Sequence, residues 1–243
     1  MADAQAAQRP VDKKRVAVLI SGRGSNMAAL IEAANTKDYP AEIVLVVSNT
    51  PDASGLARAR EAGIPTAVVD HRPFGADRDA FERVLDAQLK AHRADLVCLA
   101  GFMRLLTPSF VRRWGGRMLN IHPALLPQFK GLHTHRRALD AGVERHGATV
   151  HFVIPEMDSG PIIAQDSVSV LEGDTEESLA QRVLEVEHRL YPQALRMVAE
   201  GRIALPGSSA EAPRLEGHST NKNPQTAPAG WPKSDCPSSK PQE

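Results

Sequence analysis

The sequence predicts an α/β fold in one domain, with a largely parallel sheet in its amino-terminal part and antiparallel strands in its carboxyl-terminal part. Short, nearly continuous apolar runs recur through the first half, the pattern of strands buried on both faces. Each run is followed by apolar residues at helical spacing, and strands alternating with helices imply right-handed crossovers between parallel neighbours. Near residue 150 the alternation stops, and two strand-like runs are joined by a short turn-rich segment.

The first run, "RVAVLI" (15–20), ends in the glycine-rich loop "SGRGSN" (21–26), after which Met27, Leu30, Ile31 and Ala34 fall at helical spacing. "EIVLVVS" (42–48) reads as the second strand, "DASGLARAREAG" (52–63) as a helix closed by Gly63, and "TAVVD" (66–70) as the third strand. A helix with Phe81, Val84, Leu85 and Leu89 on one face leads to "DLVCLA" (95–100). "TPSFVRRW" (107–114) is a short helix with Pro108 near its start, and "RMLNIH" (117–122) is another strand. "GATVHFVI" (147–154) and "IIAQDSVSV" (162–170) flank the turn "PEMDSGP" (155–161), close enough to be antiparallel. Asp174 with Glu177 resembles a capping pair that opens a long helix carrying Leu179, Val183, Val186 and Leu190.

At 243 residues and 42% hydrophobic content the chain can bury a substantial core. Lys+Arg and Asp+Glu balance at 29 each, so there is no global basic field to hold a nucleic acid, and a small-molecule partner is expected. Cys98 lies in an apolar run, and Cys236 is the only other cysteine, which suits a reduced, cytoplasmic protein. No run has the length of a membrane span and the first residues lack a signal-peptide core. Residues 1–14 read as a flexible leader, 15–206 as the folded domain and 207–243, rich in Pro, Ser and Gly, as a disordered tail.

Three stretches carry candidate chemistry. The loop 21–26 sits between a strand and a helix start, where unpaired N–H groups and the helix dipole favour an anion. It matches the dinucleotide-binding pattern at Gly22 and Gly24 but has Met27 where the third glycine belongs. The second strand also ends in Ser48-Asn49 without a ribose-binding acid. A phosphomonoester suits it better than NAD or ATP, and a turn that binds nothing is the alternative. In "MLNIHPALLPQFKGLHTH" (118–135), Asn120 and His122 are two apart on a strand and face one side, where an amide and an imidazole can stabilise an oxyanion. His133 and His135 are poorly spaced to share a metal with His122, so no metal is expected, and a structural histidine cluster is the alternative. Asp158 lies in the turn 155–161; close to His122 it would favour the charged imidazole and could accept a proton, while a purely local turn role is the alternative.

In this order "VLISGRGSN", "AGFMRLL" (100–106), "LNIHPALLP" (119–127), "GLHTH" (131–135), "GATVHFV" with "MDSGPII" (147–163) and "EHRLYP" (187–192) resemble the phosphoribosylglycinamide formyltransferase family. The resemblance spans residues 15 to about 205 and implies a Rossmann-like formyltransferase fold. It also implies transfer of the formyl group of 10-formyltetrahydrofolate, the co-substrate, to the amine of a glycinamide ribonucleotide in purine synthesis. Asn120, His122 and Asp158 would then be catalytic. Arg23, Gly24, Ser25 and Asn26 would hold the phosphate, Glu187 the ribose hydroxyls, and Arg78 would approach the phosphate. Met103, Arg104, Leu105 and Leu106, with Ile154, Pro155, Glu156 and Met157, would line the folate pocket. His133, His135 and His151 would order the site, and a homodimer is compatible with the resemblance. Two enzymes share the catalytic trio. A formyltetrahydrofolate deformylase usually has a further amino-terminal domain, and a methionyl-tRNA formyltransferase needs a nucleic-acid-binding domain. A protein that binds these ligands without turnover is the alternative outside enzymes.

Overall fold

The computed structural model describes residues 13–205. The rest of the expected leader and the expected tail lie outside the described residues. Lys14, assigned to the leader by sequence, already belongs to the first strand, where it pairs with Ala41.

Seven strands form one sheet: β1 (Lys14–Ile20), β2 (Ala41–Ser48), β3 (Thr66–Val68), β4 (Leu96–Leu99), β5 (Met118–His122), β6 (Arg145–Phe152) and β7 (Ile162–Ser169). Their spatial order is β3-β2-β1-β4-β5-β6-β7. The pairs from β3 to β5 are parallel, whereas β5–β6 and β6–β7 are antiparallel. Among the described residues six α-helices accompany them, five between strands and one after the last: α1 (Ser25–Ala34), α2 (Gly55–Glu61), α3 (Arg78–Ala91), α4 (Pro108–Arg113), α5 (Thr134–Asp140) and α6 (Glu176–Ala199). The expected α/β architecture, parallel first and antiparallel last, is the one observed.

The continuous apolar runs have a simple cause. Along β1, Val16, Val18 and Ile20 enter one buried cluster with α1 and α6, while Ala17 and Leu19 enter another with α3 and α4. Both faces are covered, so no position in the strand can be polar without cost. α6 supplies the largest single helical surface, with Leu179, Val183, Val186, Leu190, Tyr191, Ala194, Leu195 and Val198 buried. The Tyr191 hydroxyl, itself buried, lies 3.1 Å from the carbonyls of both Leu99 and Leu119, so the helix is also tied to β4 and β5 by a polar contact.

Two sequence expectations are corrected. Val84 is 42% exposed, and α3 turns Glu82 and Asp86 inward instead, each 4% exposed. Glu82 accepts hydrogen bonds from the Thr107 N–H and hydroxyl, and Asp86 accepts from Trp114 Nε1 at 3.0 Å and Arg113 at 2.9 Å, so partners beyond the helix outweigh its apolar period. At the start of α6 the cap is Thr175, not Asp174: its side chain accepts the Ser178 N–H, and Ser178 returns the bond to the Thr175 N–H. Asp174 instead accepts from the Leu171 N–H at 2.8 Å and pairs with Arg182, which holds its carboxyl well below the usual carboxylate range.

Candidate active site

The chain order reverses at β1, with β2 on one side and β4 on the other. At such a reversal the carboxyl ends of the strands are the usual place for a ligand. A cavity of about 730 Å³ lies along the loops after β4 and β5 and the turn between β6 and β7. Asn120, His122 and Asp158 line it together, as do Met103, Arg104, Leu105, Leu106 and Ile154, Pro155, Glu156, Met157. Its mouth is apolar: Met103, Leu105, Leu132 and Met157 are 67%, 63%, 69% and 54% exposed. A few polar groups beneath an apolar rim is the usual composition of a small-molecule site.

The strand period accounts for the polar groups. Asn120 and His122 are alternate residues of β5, paired with His151 and Thr149 of β6, so all four project toward the same face. His122 Nε2 is 3.0 Å from the Phe129 carbonyl, to which it donates, and Nδ1 lies 3.5 Å from Asp158 Oδ2. Nδ1 thus faces Asp158 at the edge of the cavity. Asp158 sits at φ 48°, in the left-handed region, and its Oδ2 accepts the Gly131 N–H at 2.8 Å. The turn carrying it is pressed onto β6: a Cβ at Gly160 would stand 1.8 Å from the Phe152 carbonyl oxygen.

His151 orients Asn120. Its Nδ1 donates to the Phe152 carbonyl at 2.8 Å, and burial pushes its pKa down against the opposing effects of that carbonyl and of Asp158. The neutral ring then offers Nε2 as an acceptor, 3.2 Å from Asn120 Nδ2. One amide hydrogen is engaged and the other is left for a ligand. Thr149, fully buried, holds the segment after β5 by accepting the Leu126 N–H at 3.1 Å and donating to the Ala124 carbonyl at 2.6 Å. Gln165 donates to Thr149 Oγ1 and to the Leu126 carbonyl. The sequence singled out neither Thr149 nor Gln165. The alternation of "TVH" with His151 was the available signal for Thr149.

The loop after β1 lies against α2. Gly24, at φ 68°, caps α1, and the Gly55 N–H donates to the Gly22 carbonyl at 3.0 Å. A side chain at Gly24 would begin 3.1 Å from Gly55 Cα, so the close approach and the positive φ both require glycine there. Asn26, in the first turn of α1, donates to Glu187 Oε2 at 2.5 Å, which joins two expected ribonucleotide residues from distant parts of the chain. Burial raises the pKa of Glu187, with the Asn26 bond acting against that. Arg23 is exposed on the loop, and Arg78 is exposed on the first turn of α3. Neither lines the cavity, and no hydrogen bond joins Arg78 to residues 23–26.

Two further histidines, His133 and His135, also line the cavity. His133 caps α5 at φ 56°, and His135 and His146 stack edge to face with ring centres 5.2 Å apart. Among the described residues no group of three or more His, Cys, Asp or Glu side chains is arranged to hold a metal ion. No described helix is long and apolar enough to cross a membrane.

Comparison with known proteins adds to this geometry. Residues 14–195 match the family model described as formyl transferase. The phosphoribosylglycinamide formyltransferase of Escherichia coli (strain K12) is 46% identical over 195 residues, which cover 80% of this chain and 92% of that protein. The trifunctional purine biosynthetic protein adenosine-3 of Bos taurus is 51% identical over 193 residues, 79% of this chain but only 19% of that much longer protein. The crystal structure of phosphoribosylglycinamide formyltransferase from Brucella melitensis superposes with a TM-score of 0.74 at 53% identity, covering 79% of this chain and 99% of that one. Glycinamide ribonucleotide transformylase 1 from Symbiobacterium toebii gives a TM-score of 0.79 at 43% identity, with 85% and 97% covered.

Proposed function

The chain belongs to the formyl transferase family, and from that premise we propose that it transfers the formyl group of 10-formyltetrahydrofolate to the amine of 5'-phosphoribosylglycinamide. The products are N-formylglycinamide ribonucleotide and tetrahydrofolate, in purine biosynthesis. The observation that carries the reading is the convergence of Asn120, His122 and Asp158 on one cavity of small-molecule size. The identity to phosphoribosylglycinamide formyltransferases over most of this chain supports the choice of acceptor. Residues 15–206 are taken as the catalytic unit.

The chemistry follows from the donor geometry. The neutral amine attacks the formyl carbon, a C–N bond forms, and the formyl oxygen becomes an oxyanion. Asn120 donates its remaining amide hydrogen to that oxygen, and His122 donates from Nδ1. As the tetrahedral species collapses, the bond to the folate nitrogen breaks, and the proton lost by the attacking amine must reach that nitrogen. Asp158, 3.5 Å from His122 Nδ1, is placed to accept and return it, directly or through water. The phosphate is assigned to residues 23–26 and the helix start beside them, and the ribose hydroxyls to Glu187. The folate is assigned to residues 103–106 and 154–157, whose exposed apolar side chains would be covered on binding.

The test is a spectroscopic assay of the purified protein with 10-formyltetrahydrofolate, with and without the ribonucleotide. Deformylation that depends on the ribonucleotide and yields the formylated product is expected. Deformylation by water alone would overturn the transferase reading in favour of a hydrolase, and folate binding with no turnover would leave a binding protein.

A further inference from the structure

Ser21 opens the loop that leads to the proposed phosphate site, yet its polar atoms engage other loops. Its N–H donates to the Gly101 carbonyl at 3.1 Å. Its hydroxyl donates to Asn49 Oδ1 at 2.5 Å, and Ser21 Oγ in turn accepts the Met103 N–H at 2.7 Å. Asn49, just past β2, is 3% exposed, and its own carbonyl is held by the His71 N–H at 3.2 Å and by His71 Nδ1 at 2.8 Å. His71, Asn49, Ser21 and Met103 therefore form a chain of hydrogen bonds across the carboxyl ends of β3, β2, β1 and β4. Phe102 and Leu106 of this loop pack against the second buried cluster, but Met103 itself is 67% exposed, so its own position depends on the tie to its amide.

We propose that Ser21 is a positioning residue for the folate side of the site: by holding the Met103 amide it sets the wall formed by residues 103–106, although in sequence it belongs to the loop of the ribonucleotide phosphate. The proposal rests on the folate assignment of that wall. A hydroxyl is required because it must donate and accept at once. Alanine would leave the Asn49 oxygen buried without a donor and release the Met103 amide. Threonine keeps the hydroxyl that can make both bonds.

The experiment is calorimetric titration of the full chain with tetrahydrofolate, together with steady-state kinetics in both substrates, for wild type, Ser21→Ala, Ser21→Cys and Ser21→Thr. In Ser21→Ala the Kd for tetrahydrofolate and the KM for the formyl donor should rise about 3- to 10-fold, the worth of one net hydrogen bond. The KM for the ribonucleotide should stay near wild type, the loss should appear in KM rather than kcat, and Ser21→Thr should restore folate binding. Ser21→Cys, close in size with weaker hydrogen bonds, should fall between and serves if the alanine variant does not fold. Unchanged folate binding in Ser21→Ala and Ser21→Cys, equal losses for both substrates, or a folded threonine variant without rescue would each overturn the proposal. A wild type that binds tetrahydrofolate without transferring to the ribonucleotide would overturn the activity reading alone, because calorimetry still reads Ser21. A wild type that does not bind tetrahydrofolate would overturn both.

Discussion

Asn120 shows how one side chain depends on its neighbour. In the proposed mechanism its amide is useful only if nitrogen, not oxygen, faces the reacting carbonyl, and His151 favours this by offering an acceptor at 3.2 Å. Asn120→Ala should lower kcat by roughly 10²–10³ with the fold intact, the usual scale for one oxyanion donor; an unchanged kcat in a folded variant would remove Asn120 from the mechanism. His146 makes a different prediction. It is fully buried, neither ring nitrogen makes a well-formed hydrogen bond, and burial, aided by the nearby His135 and His122, pushes its pKa down to about 4. The folded state therefore binds fewer protons than the unfolded chain below the ordinary histidine pKa. This contribution to stability is complete above about pH 6.5 and is lost as pH falls toward 4, by up to roughly 3 kcal/mol. Denaturant melts between pH 7.5 and 4.5 should show a steeper loss in wild type than in His146→Phe, and parallel curves would refute it.

At the scale of elements, the turn between β6 and β7 is set by what cannot fit. Because a Cβ at Gly160 would overlap the Phe152 carbonyl at 1.8 Å, backbone must move in Gly160→Ala. Asp158, two residues earlier, would move with it. That variant should lose formyl transfer and melt lower, while Ser159→Ala, at an exposed neighbouring position, should retain most activity. The sequence marked this turn through its Gly-Pro chemistry but gave no sign of the contact, which spans two strands. α3 carries the opposite lesson. Phe81, Leu85 and Leu89 are buried as their period predicts, but Val84 yields its inward place to Glu82 and Asp86. Helical periodicity counts apolar residues and cannot register a carboxylate whose partners, Thr107 and Trp114, lie on another element.

Across the whole molecule, α6 supports both the core and the proposed ribonucleotide side, since Leu190 is 5% exposed in the cluster beneath β1 and Glu187 meets Asn26. Leu190→Ala should cost about 2–5 kcal/mol by leaving a cavity, read as a lower denaturation midpoint at unchanged slope. Ser25→Asp should weaken the ribonucleotide far more than the folate, because a carboxylate at the start of α1 repels the phosphate assigned there. Equal weakening would place the phosphate elsewhere. The sequence by itself determined the alternation of strands and helices, the parallel-to-antiparallel change near residue 150 and the types of residue in the site. These follow from local rules: apolar period, turn chemistry and the strand alternation that puts Asn120 and His122 on one face. Only the tertiary structure decided that Asp158 meets His122, that His151 orients Asn120, that Asn26 bonds Glu187, that Ser21 reaches Met103 and that Arg78 stays exposed. Each of those is a distance between segments far apart in the chain, fixed by strand order and loop packing, and no local pattern of residues encodes such a distance.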